Sequence, residues 1–148
     1  MAERIILLVE DNPDDAVLTR RALEKSEVTH RVEVARDGLE ALDYLFALGS
    51  HADRKASDMP ALILLDLKLP KVDGLEVLRR LRADRITKLI PVIVLSSSDE
   101  PADVIESYGL GANSYIRKPV DFAEFTETVR ALAHYWLLLN EPPPSETA

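Results

Sequence analysis

Three short, almost wholly apolar runs each stop at a polar group, and that arrangement constrains the fold more than any other feature of the chain. Ile5-Ile6-Leu7-Leu8-Val9 runs into Glu10 and Asp11, Leu62-Ile63-Leu64-Leu65 into Asp66, and Val92-Ile93-Val94-Leu95 into Ser96. Runs this short and this uniform read as strands covered on both faces, the environment of a parallel sheet. Ligands of open parallel sheets bind just beyond the carboxyl ends of the strands. Two acids, a third acid and a hydroxyl are therefore expected to meet at one rim.

Between these runs the chain alternates. A first strand is expected over residues 4–9, then a helix opened by Asn12 as N-cap with Pro13 at its first position. Val17, Leu18, Ala22 and Leu23 are its expected buried stripe. Residues 30–35 suit a second strand, and Asp37-Gly38 leads into a helix with Leu39, Leu42, Leu45 and Phe46 at helical spacing. A polar surface loop over 49–59 precedes the third strand, 61–65. Residues 70–74 form a loop, and Leu75, Val77, Leu78 and Leu81 lie on the next helix. A fourth strand over 91–95, a short helix from Pro101 to about Tyr108 broken by Gly109 and Gly111, a brief strand over 114–116 and a final helix over 121–139 complete the pattern. Strict alternation of strand and helix predicts a doubly wound α/β sandwich with right-handed crossovers.

The 148 residues fit one domain, expected over 1–140, with a proline-rich, disordered tail over 141–148. A net charge of −8 argues against nucleic acid as the main partner. The absence of cysteine excludes disulfides and thiolate metal sites. No secretory leader precedes the first strand and no stretch is apolar enough to span a bilayer, so a cytoplasmic protein without membrane contact is expected.

Glu10, Asp11 and Asp66 brought together repel one another, which either raises carboxylate pKa values or recruits a cation. All-oxygen ligands select a hard ion, and magnesium is the usual choice for carboxylates plus a phosphate group. A carboxylate such as Asp66, at the tip of a buried strand, can act as a nucleophile and form an aspartyl-phosphate. Ser96 can donate to a phosphoryl oxygen. Lys118, held extended before Pro119, can pair with carboxylate or phosphate. Each has a plainer reading on its own: solvated loop acids, a turn acid, a helix cap, a surface lysine. The Lys118–Pro119 bond is open to cis or trans.

In order, Glu10-Asp11, Asp66, Ser96 and Lys118-Pro119 resemble the receiver domain of two-component response regulators. Asn12-Pro13, the segment from Asp66 to Gly74, Pro91-Val92 and Gly111-Ala112 before Tyr115 add to the likeness. The resemblance implies a flavodoxin-like (βα)5 fold with a five-stranded parallel sheet in the order 2-1-3-4-5. It implies that Asp66 accepts a phosphoryl group from a sensor histidine kinase. Asp11, Asp66 and the backbone carbonyl of Lys68 would ligate magnesium, with Glu10 acting mainly through a water on the metal. Lys118 would pair with the acids and then the phosphate, while Ser96 would turn inward to bond a phosphoryl oxygen and Tyr115 would follow by changing rotamer, which shifts the face built from helix four, strand five and helix five. Glu10 departs from the commoner aspartate, and its longer arm alters the distance to a metal. Val9 to Asp15, the long loop before the third strand, Asp66-Leu67-Lys68-Leu69-Pro70 and Leu95 to Ser98 resemble the small response regulators of phytochrome-type kinases.

On the final helix Phe122, Phe125, Val129, Leu132, Trp136 and Leu139 trace one stripe expected to face the sheet, leaving Tyr135, Leu137 and Leu138 outside it. That excess predicts a homodimer contact through the C-terminal segment and the face of helix four, strand five and helix five. The expected function is a stand-alone phosphorylation switch serving a sensor kinase, not an enzyme on other substrates. A chemotaxis-type or phosphate-sink receiver and an unphosphorylated binding module are the alternatives. An aspartyl phosphatase needs a second acid two residues after its nucleophile, where this chain has Lys68. A nucleotide-binding protein of like topology needs a glycine-rich loop after the first strand, and the chain has only five glycines.

Overall fold

A computed structural model describes residues 4–25, 30–55 and 59–144. Strands β1 (Arg4–Val9), β2 (His30–Ala35), β3 (Leu62–Leu65), β4 (Val92–Ser96) and β5 (Ser114–Arg117) alternate with helices α1 (Pro13–Glu24), α2 (Gly38–Phe46), α3 (Gly74–Ala83), α4 (Pro101–Gly109) and α5 (Phe122–His134). All strands pair in parallel in the order β2-β1-β3-β4-β5. The three apolar runs are the three central strands, and every residue of β3 and β4 is buried. The expected boundaries hold to within a residue or two. The 49–59 loop contains a 3₁₀ turn at Gly49–His51, and residues 56–58 lie outside the described residues. The expected tail disorder falls partly on 145–148, also outside them; 141–144 have no regular structure.

Each face of the sheet carries its own core. Ile6, Leu8, Leu62, Leu64, Ile93 and Leu95 meet α1 and α5 on one side. Leu7, Val9, Ile63, Leu65, Val92 and Val94 meet α2 and α3 on the other, as the two-residue alternation of strand side chains requires. Helix starts follow local chemistry: Asn12 caps α1 through the amides of Asp14 and Asp15, while Asp37, Asp73 and Asp121 cap α2, α3 and α5. Helix α4 differs, since its N-cap Glu100 makes no side-chain capping bond and Ser107 is its one buried residue.

Some expected faces are corrected. Val17 and Leu39 are exposed, because α1 and α2 approach the sheet through Ala16, Ala22 and Ala41, small residues that allow close packing. Phe122 and Leu139 are exposed and Leu137 is buried. Phe122 is the first residue of α5, next to its N-cap Asp121; at the other end α5 continues as a π-helical turn, Tyr135–Leu139, closed by the amide of Asn140 on the carbonyl of Tyr135 at 2.7 Å. The wider turn sets later side chains back and brings Leu137 into the core. The Arg4 guanidinium donates to the Leu137 carbonyl. Gly109 belongs to α4, and the positive φ of 103° belongs to Gly111. The Lys118–Pro119 bond is trans.

Two glycines fix the loop after β3. A Cβ on Gly74 would sit 2.3 Å from the carbonyl oxygen of Asp66, and one on Gly38 would sit 1.7 Å from that of Val72. The amide of Gly74 donates to the Leu67 carbonyl and that of Gly38 to the Pro70 carbonyl. The starts of α2 and α3 thus clamp the loop that carries Asp66 at its head. No helix among the described residues is long and apolar enough to cross a membrane.

Candidate functional site

The parallel ladders run on past the strands and aim their last side chains at one point. The amide of Glu10 donates to the Ala35 carbonyl, that of Asp66 to Val9 and that of Lys118 to Ser96. Glu10, Asp11 and Asp66 consequently offer carboxylate oxygens within 4.8 Å of one another. Lys118 reaches over from the end of β5, its Nζ donating to Glu10 Oε1 at 2.5 Å, Asp15 Oδ2 at 3.0 Å and Asp66 Oδ2 at 3.3 Å. The other Asp66 oxygen accepts from the Lys68 amide at 3.4 Å. The second Glu10 oxygen accepts from the Asn12 amide.

Three carboxylates here face one ammonium, and Asp11 adds a fourth acid beside Glu10 and Asp66. Burial, the largest influence on Glu10, pushes its carboxyl up to about 7; Lys118 pulls it down and the Asp66 charge pushes it up again. Burial alone would depress Lys118, but the bonds and charges of Glu10, Asp66 and Asp15 outweigh it and hold the ammonium above the ordinary lysine range. Acids in excess, two of them buried, are the electrostatic condition that a dication relieves. The donor set fits one: every ligand is oxygen, and among the described residues nothing donates to the exposed Asp11 carboxylate.

Ser96, wholly buried at the end of β4, accepts through Oγ from the Ser98 amide at 3.2 Å, which leaves its proton available to a ligand oxygen. Tyr115 lies half-buried on β5, its hydroxyl donating to the Ser98 carbonyl at 2.8 Å. Glu10, Asp11, Asp66 and Lys118 thus meet at this rim, Ser96 ends the strand beside Lys118, and Tyr115 is linked to Ser96 through Ser98. A groove beside the acids is lined by Asp11, Lys68, Pro70, Asp73 and Asp103.

Comparison with known proteins agrees with this geometry. The model of the response regulator receiver domain matches residues 6–130. The chain belongs to that family. Its receiver is 44% identical over 139 residues to the probable methanogenesis regulatory protein FilR2 of Methanothrix harundinacea, covering 94% of this chain and 87% of FilR2. It is 40% identical over 134 residues to the response regulator Rcp1 of Synechocystis sp. PCC 6803, covering 90% and 89%. The crystal structure of the Mn(2+)-bound form of Rcp1 superimposes with a TM-score of 0.90, covering 95% and 99% of the two chains. That of the phosphorylated cyanobacterial phytochrome response regulator RcpA, 42% identical, superimposes with a TM-score of 0.91 over 97% and 100%. The receiver is accordingly a signalling switch with an acidic cluster suited to a divalent metal.

Three residues of the receiver escaped sequence reasoning. Asp15 reads locally as a favourable charge at the start of α1, yet it is the third acid on Lys118. Its signal was the second acid after Asn12-Pro13, one helical position on from Asp14. Ser98 and Asp103 pair at 2.5 Å, and the only hint was the serine run before α4.

Proposed function

We propose that Asp66 is the phosphoacceptor of a magnesium-dependent switch. The observation that carries this is the Asp66 carboxylate itself, buried at the tip of β3 between the Lys118 ammonium and the acids Glu10 and Asp11. A carboxylate oxygen of Asp66 attacks the phosphorus of a phosphohistidine; a P–O bond forms, the P–N bond breaks, and its electron pair leaves on the imidazole nitrogen, which takes up a proton. Asp11, Asp66 and the Lys68 carbonyl would hold the metal, with Glu10 behind them. When bound, magnesium draws charge from the phosphoryl oxygens. Lys118 turns from the carboxylates toward the transferred group, and Ser96 donates its hydroxyl proton to a phosphoryl oxygen. Tyr115, anchored on the same loop through Ser98, follows that loop. The protein catalyses its own phosphorylation and dephosphorylation and nothing else.

The donor is a cytoplasmic sensor histidine kinase, and the likeness to the phytochrome response regulator RcpA supports a phytochrome-type one. The likeness to FilR2, a regulator of another process, favours a second reading in which a different kinase charges the same Asp66. A panel of kinases with phosphotransfer rates separates the two. Output passes through protein contacts, including a homodimer built on the exposed Ile105 and Tyr108 of α4 and on Tyr135, Leu138 and Leu139. No direct contact with nucleic acid or membrane is part of it.

The test is incubation with acetyl phosphate and magnesium. The wild type gains an acid-stable, base-labile phosphate, and Asp66→Asn gains none. Equal labelling of the variant removes Asp66 from this role.

A further inference from the structure

Helix α4 is poorly anchored by apolar contact: only Ser107 is buried, Ile105 is exposed, and the N-cap side chain is idle. Its first turn is held instead by a polar junction. Asp103 Oδ2 accepts from Ser98 Oγ at 2.5 Å and faces Lys68 Nζ at 3.6 Å. One carboxylate oxygen therefore ties together the β3–α3 loop, the β4–α4 loop and α4. Every polar group of Ser98 is committed: its amide to Ser96 Oγ, its hydroxyl to Asp103, its carbonyl to the Tyr115 hydroxyl. Asp103 is largely shielded, whereas the Lys68 side chain is mostly exposed and free to swing. Lys68 sits two residues after Asp66 and lines the same groove as Asp11 and Asp103.

We propose that Asp103 is a positioning residue that couples charge at Asp66 to helix α4 through a change of partner by Lys68. The inference rests on Asp66 being the phosphoacceptor. A phosphoryl group on Asp66 places up to two negative charges in the groove and competes with Asp103 for the Lys68 ammonium. Once Lys68 leaves, Asp103 loses its counter-charge. The Ser98–Asp103 hydrogen bond then ends on a carboxylate with no counter-charge opposite, and the first turn of α4 loosens. An exposed ion pair is a small bias, suited to shifting a population rather than to holding the fold.

The experiment follows amide hydrogen exchange over residues 98–109 with and without excess acetyl phosphate and magnesium, alongside labelling. In the wild type, labelling speeds this exchange about two- to fivefold, the shift an exposed ion pair supports. Unlabelled Asp103→Asn, which keeps shape and an acceptor for Ser98 but loses the charge, already exchanges at the faster rate. It is labelled like the wild type and gains no further acceleration. Unlabelled Lys68→Met also exchanges at the faster rate, and the unlabelled double variant adds nothing to it. Raising salt from about 0.05 to 0.5 M speeds exchange in the unlabelled wild type but not in Asp103→Asn, which a merely structural role for Asp103 does not give. Normal labelling with wild-type exchange in Asp103→Asn, or additive effects in the double variant, overturns this proposal alone. A wild type that takes no label overturns the reading of Asp66 and the proposal with it.

Discussion

Glu10 holds a negative charge where burial opposes one. Its ordinary value is 4.5 and the fold lifts it to about 7. The folded chain then binds that proton more tightly than the unfolded chain does. The group's contribution to stability is complete below pH 4.5 and is lost as pH rises through about 7. The thermal midpoint of metal-free protein is expected to fall as pH rises from 4.5 to about 7 and to level off above that, and Glu10→Gln to flatten the slope. Magnesium opposes the trend, because a dication favours the carboxylate. Its apparent affinity, read by calorimetry, should rise by up to about tenfold per pH unit below 7 and level off above it. A magnesium affinity independent of pH in this range would mean that Glu10 stays ionised throughout. Sequence patterning located Glu10 because strand β1 points at it. It did not locate Asp15, whose partner Lys118 lies 103 residues away. Contacts of that kind exist only after folding, and the acidic pair after Asn12-Pro13 does not by itself name the partner.

Elements follow local rules closely until they dock. The strands were legible because a run such as Leu62-Ile63-Leu64-Leu65 has no other stable environment, and the helix starts because Asn12, Asp37, Asp73 and Asp121 are good caps. Helix faces were less so. Hydropathy favours Val17 and Leu39 for the core, but Ala16 and Ala41 take those places because a short side chain lets a helix lie close to the sheet. The π turn was invisible, since it is a change of hydrogen-bond register rather than of composition. It makes neighbours unequal: Leu137→Ala should cost about 2–5 kcal/mol in denaturant unfolding and Leu138→Ala less than about 0.5. Equal losses would place both side chains in one environment. The clamp around the β3–α3 loop is similarly local in origin. Gly74→Ala pushes a methyl group against the backbone of Asp66 and Leu67. It should lower stability by about 1–3 kcal/mol and slow labelling of Asp66 by acetyl phosphate, because the carboxylate moves with its backbone. A variant labelled at the wild-type rate would show that the loop yields without disturbing Asp66.

The molecule as a whole gathers its chemistry at one rim and leaves part of its exposed apolar surface on α4 and the end of α5. Ile105, Tyr108, Tyr135, Leu138 and Leu139 are large, apolar and exposed. A chain with net charge −8 resists casual association, so a specific contact is needed to bring two copies together. Sedimentation of the wild type is expected to show dimers that Leu138→Glu with Leu139→Glu converts to monomers without loss of fold. A wild type that is monomeric at high concentration, labelled or not, removes the dimer from the mechanism. The bond from Arg4 to the Leu137 carbonyl joins positions 133 residues apart, so the first strand finds part of its support in the last helix. A nascent chain stalled on the ribosome before Phe122 would already contain every acid, the serine and the lysine of the rim, yet one side of its sheet would be covered by α1 alone. Competence to receive a phosphoryl group should thus arrive late in synthesis, when the final helix clears the exit tunnel.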